Sequence, residues 1–276
     1  MNAAIIGLGL MGGSFALALK ELDFITSVVG YDHNEQHQKT ALELSLVDKI
    51  VTFDELKQAE IIILAIPVNG VIRALHELQD IPDKTTIIDL GSTKEKIVKS
   101  VPSQIRHNFV AAHPMTGTEN FGPTAAVEGL YKEKVVVLCD LEDSGEYQAT
   151  LAKKIFKSIG MKKYFMKAHE HDRHAAFISH MPHAISYSLA NTVMRQENRE
   201  NILALAAGGF RSMSRLAKSS PYMWEDIFKQ NKDNLLEAIT LFEKELSGLK
   251  TAIEQDNWEK VFSEMEDGNK LYDIFS

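Results

Sequence analysis

The 276-residue chain sets 30 Lys and Arg against 38 Asp and Glu, a formal net charge of −8. That balance argues against nucleic acid or an anionic membrane surface as the main partner, so an anionic ligand needs a locally cationic pocket. The length suggests about two domains, and the single cysteine, Cys139, excludes an intrachain disulfide and lies in an apolar run as a buried strand residue.

The chain opens on an apolar run, Ala3–Ile6, that enters Gly7-Leu8-Gly9-Leu10-Met11-Gly12, and an acid, Asp32, stands twenty residues beyond Gly12. In such a unit Gly7 makes a tight turn, Gly9 leaves bare backbone for a pyrophosphate, and Gly12 lets the next helix, over 13–22, pack close to the sheet. The helix N-terminus offers free N–H groups and partial positive charge to phosphates. Asp32, at the end of a second strand over Ser27–Tyr31, is placed to accept hydrogen bonds from a ribose diol and to repel a 2′-phosphate. His33 and Asn34 follow it and no arginine does, so the unit reads as an NAD site built from Gly7, Gly9, Leu10, Met11, Gly12 and Asp32. Residues 1–19 imitate a signal peptide in apolar content but lack its basic start. No other stretch approaches the roughly 20 apolar residues of a membrane span, and cytoplasm is the default location.

Short apolar runs at 60–66, 85–90, 109–112, 134–138 and 162–165 alternate with amphipathic segments. They predict an α/β fold over 1–167, a Rossmann-type doubly wound and largely parallel sheet with its ligand crevice at the carboxyl ends of the strands. Pro67 ends one of these runs and is expected to shape the wall of the cofactor site. Asp89-Leu90-Gly91-Ser92-Thr93-Lys94-Glu95 ends another and brings a hydroxyl, Ser92, to the same edge; Ser92 and Glu95 equally fit a capping box. Phe109–Ala112 runs into His113-Pro114, where the proline is expected to stop the strand and leave His113 facing the crevice. A histidine, with an ordinary pKa of about 6.5, suits removal of a substrate hydroxyl proton during hydride transfer.

From 168 to 276 the pattern is helical, predicting an all-α second domain. His169, Glu170, His171, Asp172 and His174 lack a compact three-ligand spacing, and no metal is expected. Ser179-His180-Met181-Pro182-His183 places a proline inside a helical pattern, which bends the helix and brings a histidine to the pocket. Arg211 and Arg215, four apart, share a helix face suited to clamping carboxylates, and Arg211 and Lys218 fit a solvated surface better than Arg215 does. Ser220-Pro221 opens a helix through Trp224 and Phe228. Leu235, Ile239, Phe242, Leu246, Leu249 and Ile253 are spaced 4, 3, 4, 3, 4, a seam that predicts a homodimer through the C-terminal helices.

Taken in order, GLGLMGGS, DLGSTK, HPMTGTE, EHD, SHMPH and GGFRSMSRLAKSSPYMW resemble the prephenate/arogenate dehydrogenase family. The resemblance implies an N-terminal Rossmann domain, a helical dimerisation domain, and NAD-linked oxidative decarboxylation of prephenate or arogenate, a small-molecule substrate. By the match, His113 removes the ring hydroxyl proton, Ser92 holds His113 and helps place the nicotinamide, and His183 and Arg215 bind substrate, Arg215 neutralising a carboxylate. Thr118 and Glu119 fall on the substrate side, Glu119 at the pocket entrance. The family often has Asp where this chain has Ser212, which puts in question any gate or ion pair built on that acid. A chain that begins at its fingerprint and ends soon after its helices is expected to leave no room for the chorismate mutase or regulatory domains that some relatives carry. A β-hydroxyacid dehydrogenase, which would use a helix lysine, and a non-enzymatic NAD-responsive regulator are the competing readings.

Overall fold

A run such as Ile61–Leu64, apolar at every position, can only be an interior strand covered on both faces. The computed structural model, which describes residues 1–275, bears this out with an eight-stranded sheet ordered β3-β2-β1-β4-β5-β6-β7-β8. In chain order its elements are β1 (Asn2–Ile6), α1 (Leu10–Lys20), β2 (Ser27–Tyr31), α2 (Glu35–Glu43), β3 (Lys49–Ile50), α3 (Phe53–Leu56), β4 (Ile61–Leu64), α4 (Val68–Glu77), β5 (Thr86–Asp89), α5 (Glu95–Lys99), β6 (Phe109–Pro114), β7 (Val135–Cys139), α6 (Glu146–Ser158) and β8 (Lys162–Met166). The pairings are parallel except β6 with β7, which is antiparallel. Alternate residues of each central strand enter opposite apolar layers: Ala3 and Ile5 pack with α1 residues such as Phe15, whereas Ala4 and Ile6 pack with Val71 and Leu75 of α4. The strand order reverses between β1 and β4, and there the neighbouring βα connections diverge to leave a crevice.

Two local expectations are corrected. Pro114 does not stop β6: the strand runs through His113 and Pro114, opposite Val137 and Val136 of β7. The antiparallel partner supplies the register, and Met115 N–H still bonds to the Val135 carbonyl at 2.8 Å. The helix after the glycine turn begins at Leu10, inside the motif.

Helices follow β8: α7 (Ala168–Ala175), a π-helical stretch over Ala176–His180, α8 (Met181–Met194), α9 (Arg199–Ala204), α10 (Gly208–Ser214), α11 (Pro221–Gln230), α12 (Lys232–Glu254), α13 (Trp258–Asn269) and α14 (Leu271–Phe275). Pro182 lies in the first turn of α8, where its missing N–H is tolerated, directly after the wider π turn. The compact units are Met1–Asn231 and the segment from Lys232 onward, a division later in the chain than the change from strands to helices at 167/168. The helices up to α11 are tied to the sheet unit: Asn69 donates to Asp226 at 2.7 Å. In the second unit α12 and α13 pack on each other. Among the described residues no helix is long and apolar enough to cross a membrane.

Candidate active site

The glycine turn has the shape its sequence demands. Gly7 takes φ +95°, and a side chain there would meet the Ala65 carbonyl oxygen at 2.4 Å. A Cβ on Gly12 would lie 1.8 Å from the Gly7 carbonyl oxygen, so only glycine lets α1 approach the turn. At Gly9 a Cβ would meet nothing within 4 Å. That open space lies at the uncapped N-terminus of α1, whose first N–H groups have no intrahelical acceptor. Leu10 is buried in the core and offers only backbone to a ligand, while the Met11 carbonyl accepts the Tyr131 hydroxyl at 2.6 Å. Pro67 is exposed and caps the start of α4, a geometric role at the end of β4.

Asp32 is buried, its carboxylate accepting the N–H groups of Leu8 at 2.8 Å and Asn34 at 2.9 Å. The imidazole nitrogens of His37 and His33 stand 3.4 and 3.5 Å from its oxygens. An open backbone turn at a helix N-terminus, with a fixed carboxylate one strand away, fits a dinucleotide with an unmodified adenosine ribose.

Beyond the turn, β6 carries His113 to the carboxyl edge of the sheet. Its ring is only partly exposed, and burial, followed by the nearby charges of His171, Lys94 and His180, holds the imidazole well below its ordinary range. His113 Nδ1 lies 2.8 Å from His171 Nε2 on α7, and His171 Nδ1 lies 2.8 Å from Asp172 Oδ1. Behind His113, Lys94 and Asp89 form a fully buried ion pair, and the Lys94 ammonium also donates to the Ala112 carbonyl at 2.8 Å. Burial raises the Asp89 carboxyl, opposed by the adjoining ammonium.

Two expectations for Ser92 change here. His171, not Ser92, occupies His113 Nδ1, and among the described residues Ser92 makes no hydrogen bond to that ring. Nor does Ser92 form a capping box. The cap residue of α5 is Lys94, and the orphan N–H groups of Lys94 and Glu95 are satisfied by the Asp172 carboxylate at 2.7 and 2.9 Å. A remote acid does what the local hydroxyl was expected to do. Ser92 remains half-buried in the β5–α5 loop.

The helices supply the opposite wall. His183 is half-buried, donates from Nδ1 to the Ser179 carbonyl at 2.9 Å, and stacks on Trp224 with ring centroids 3.5 Å apart. Burial lowers its pKa, the carbonyl contact opposes that, and the Arg215 charge adds to it. Arg215 Nη1 stands 3.6 Å from Glu119 Oε2, a half-exposed pair whose guanidinium a ligand carboxylate can engage. Glu119 and Lys218 share the lining of a cavity of about 600 Å³ with Phe121 and Thr124, so Lys218 is not remote from the site. Thr118 accepts the Asn120 N–H in the loop leaving β6. Ser212 lies on α10, on the turn before Arg215. His171, Asp172 and Trp224 lie within the EHD and PYMW stretches with no role predicted from sequence; the adjacent His-Asp pair is the signal available there.

Residues 15–165 match the family model described as prephenate dehydrogenase, nucleotide-binding domain, and residues 167–267 match prephenate dehydrogenase, dimerization domain. The chain is 34% identical to a prephenate dehydrogenase of Bacillus subtilis, over 94% of this chain and 71% of that protein. It is 32% identical to a cyclohexadienyl dehydrogenase of Zymomonas mobilis, over 98% of this chain and 94% of that protein. A crystal structure of prephenate dehydrogenase from A. aeolicus with hydroxyphenyl propionate and NAD+ superposes with a TM-score of 0.93 at 30% identity, covering 100% of this chain and 98% of that one.

Proposed function

Because the chain belongs to the prephenate dehydrogenase family, we propose that it is an NAD-dependent dehydrogenase that oxidatively decarboxylates prephenate to 4-hydroxyphenylpyruvate. NAD+, when bound, supplies the hydride acceptor. The glycine turn and the α1 N-terminus hold its pyrophosphate, and Asp32 takes its ribose diol. His113 is the base: a neutral imidazole at the crevice edge accepts the ring hydroxyl proton. Loss of CO2 then restores an aromatic ring, which makes the reaction effectively irreversible. Arg215 binds a substrate carboxylate, with His183 held against Trp224 beside it and Thr118 and Glu119 at the entrance; Ser92, in the loop opposite, contacts the nicotinamide.

The observation that carries this reading is the partly exposed His113, held neutral first by burial and then by nearby charges, on the sheet edge that also bears the dinucleotide turn. Residues 1–167 form the cofactor domain in this reading, and 168–276 form the substrate and dimerisation domain of a cytoplasmic homodimer. Arogenate is the alternative substrate, and the likeness to a cyclohexadienyl dehydrogenase over 98% of the chain favours testing both. NADH formation with each substrate, compared by kcat/KM, ranks them. Replacing His113 with Asn should lower turnover by about 10²-fold or more while NAD+ affinity is kept; near-normal kcat would remove His113 from the role of base.

A further inference from the structure

His113 carries out proton removal in the reading above only if the correct ring nitrogen is bare. Nothing at His113 itself decides which one, because an imidazole beside another imidazole can donate or accept. The decision is made two side chains along, at Asp172. Both oxygens of the Asp172 carboxylate already accept backbone N–H groups, Oδ1 from Lys94 at 2.7 Å and Oδ2 from Glu95 at 2.9 Å. The hydrogen shared between Asp172 Oδ1 and His171 Nδ1, 2.8 Å apart, therefore belongs to His171. With its proton on Nδ1, His171 turns the other ring nitrogen, Nε2, toward His113 Nδ1 as the acceptor, 2.8 Å away.

We propose that His171 and Asp172 are positioning residues for the base, resting on the reading of His113 given above. Asp172 sets the tautomer of His171, and His171 holds His113 with its proton on Nδ1, leaving Nε2 bare toward the crevice. In the reaction the substrate O–H bond breaks and its proton joins the Nε2 lone pair. The positive charge on the His113 ring is then shared through Nδ1–H to His171, with Asp172 as counter-charge. The other polar groups facing this chain have partners of their own: the Lys94 ammonium pairs with Asp89 and donates to the Ala112 carbonyl, and His180 meets the Asn231 amide at 3.0 Å. His171 and Asp172 are each 2% exposed, so solvent does not compete for these bonds. The same carboxylate caps α5, which fixes its position independently of the imidazoles.

Long-range 1H–15N correlation spectra of full-length protein labelled with 15N-histidine test this directly, with His113 assigned by the signals lost in His113→Asn. The expected result is a proton on Nδ1 and none on Nε2 of His113 in the resting protein; the reverse tautomer overturns the proposal. Kinetics give a second readout. Gln at 171 can place an amide oxygen where Nε2 was, whereas Phe cannot accept a hydrogen bond. His171→Phe should lower kcat by more than about tenfold and move the acid limb of its pH profile, with KM for NAD+ within about twofold, and His171→Gln should recover most of the loss. An inactive His113→Asn beside a His171→Phe variant with wild-type kcat and pH profile sinks the positioning role alone. An active His113→Asn sinks the base itself. Should His171→Phe fail to fold, the wild-type tautomer and the Gln variant still decide.

Discussion

A carboxylate gripped by the Leu8 and Asn34 N–H groups cannot swing aside for a 2′-phosphate, so Asp32 is expected to discriminate between cofactors by charge held in place. Asp32→Asn keeps an acceptor for one of those donors and removes the charge. It should weaken NAD+ and raise NADP+ affinity relative to it, read by fluorescence titration with both; an unchanged ratio would show that Asp32 does not read the ribose. His180 illustrates a different use of burial. Burial pushes its pKa to about 4, partly opposed by the Asp172 charge. Its Nδ1 meets the Asn231 amide, whose Nδ2 also donates to the Asp172 carbonyl at 2.6 Å. Between pH 4 and about 6.5 the unfolded chain binds this proton and the folded one does not, so stability rises with pH across that window. The contribution is fully present above about pH 6.5 and is lost as pH falls toward 4, a swing of at most about 3 kcal/mol. Urea unfolding at pH 7 and pH 4.5 should show a steeper loss for wild type than for His180→Gln. Parallel slopes would place the titration elsewhere.

At the scale of elements, the meeting of α1 and the turn after β1 is the tightest constraint in the cofactor site. The added methyl of Gly12→Ala lies 1.8 Å from the Gly7 carbonyl oxygen, backbone that cannot move without shifting β1. The variant should lose more than about 2 kcal/mol of stability or abolish NAD+ binding, checked by thermal melts with and without cofactor. A melt and affinity equal to wild type would mean the helix can retreat at no cost. This unit was legible in the sequence because every constraint in it is local: glycines, an apolar strand and an acid at fixed spacing. The long apolar runs at Ile61–Leu64 and Val135–Cys139 were legible for a similar reason, since continuous apolar character demands cover on both faces. β3 was not, because a two-residue strand, Lys49–Ile50, has no periodicity to read. Pro114 misled because its strand is completed by an antiparallel neighbour more than twenty residues later in the chain. The cap of α5 was equally invisible: its acceptor, Asp172, is 78 residues from Lys94. Residues whose contacts reach across the fold carry little local signature: Trp224 shows only its residue type, and His171 only the aspartate beside it.

In the whole molecule, large apolar side chains stand exposed along α12 and α13. Of the seam residues on α12, Leu235 is buried, Ile239, Phe242 and Leu249 are partly covered, and Leu246 and Ile253 remain 54% and 47% exposed. On α13, Trp258, Phe262 and Met265 are all more than half exposed. An amphipathic helix that has found its full core does not leave its apolar stripe wet, and side chains of this kind contribute about 1.5–3 kcal/mol each on full burial. Scattered single exposures would call for no explanation, but here they recur at heptad spacing on one helix and on the neighbour packed against it. The family model over 167–267 describes a dimerization domain, which agrees with a second copy as the cover. Sedimentation equilibrium at micromolar concentration should therefore give twice the 30.9 kDa of one chain. Leu246→Glu together with Ile253→Glu should shift the protein toward monomer, since two carboxylates would be buried without counter-ions across the seam. Because both positions are exposed in the single chain, the folded monomer should survive the change, with its near-ultraviolet circular dichroism retained. A wild-type mass of one chain, or a double variant that still sediments as two, would take the interface off α12.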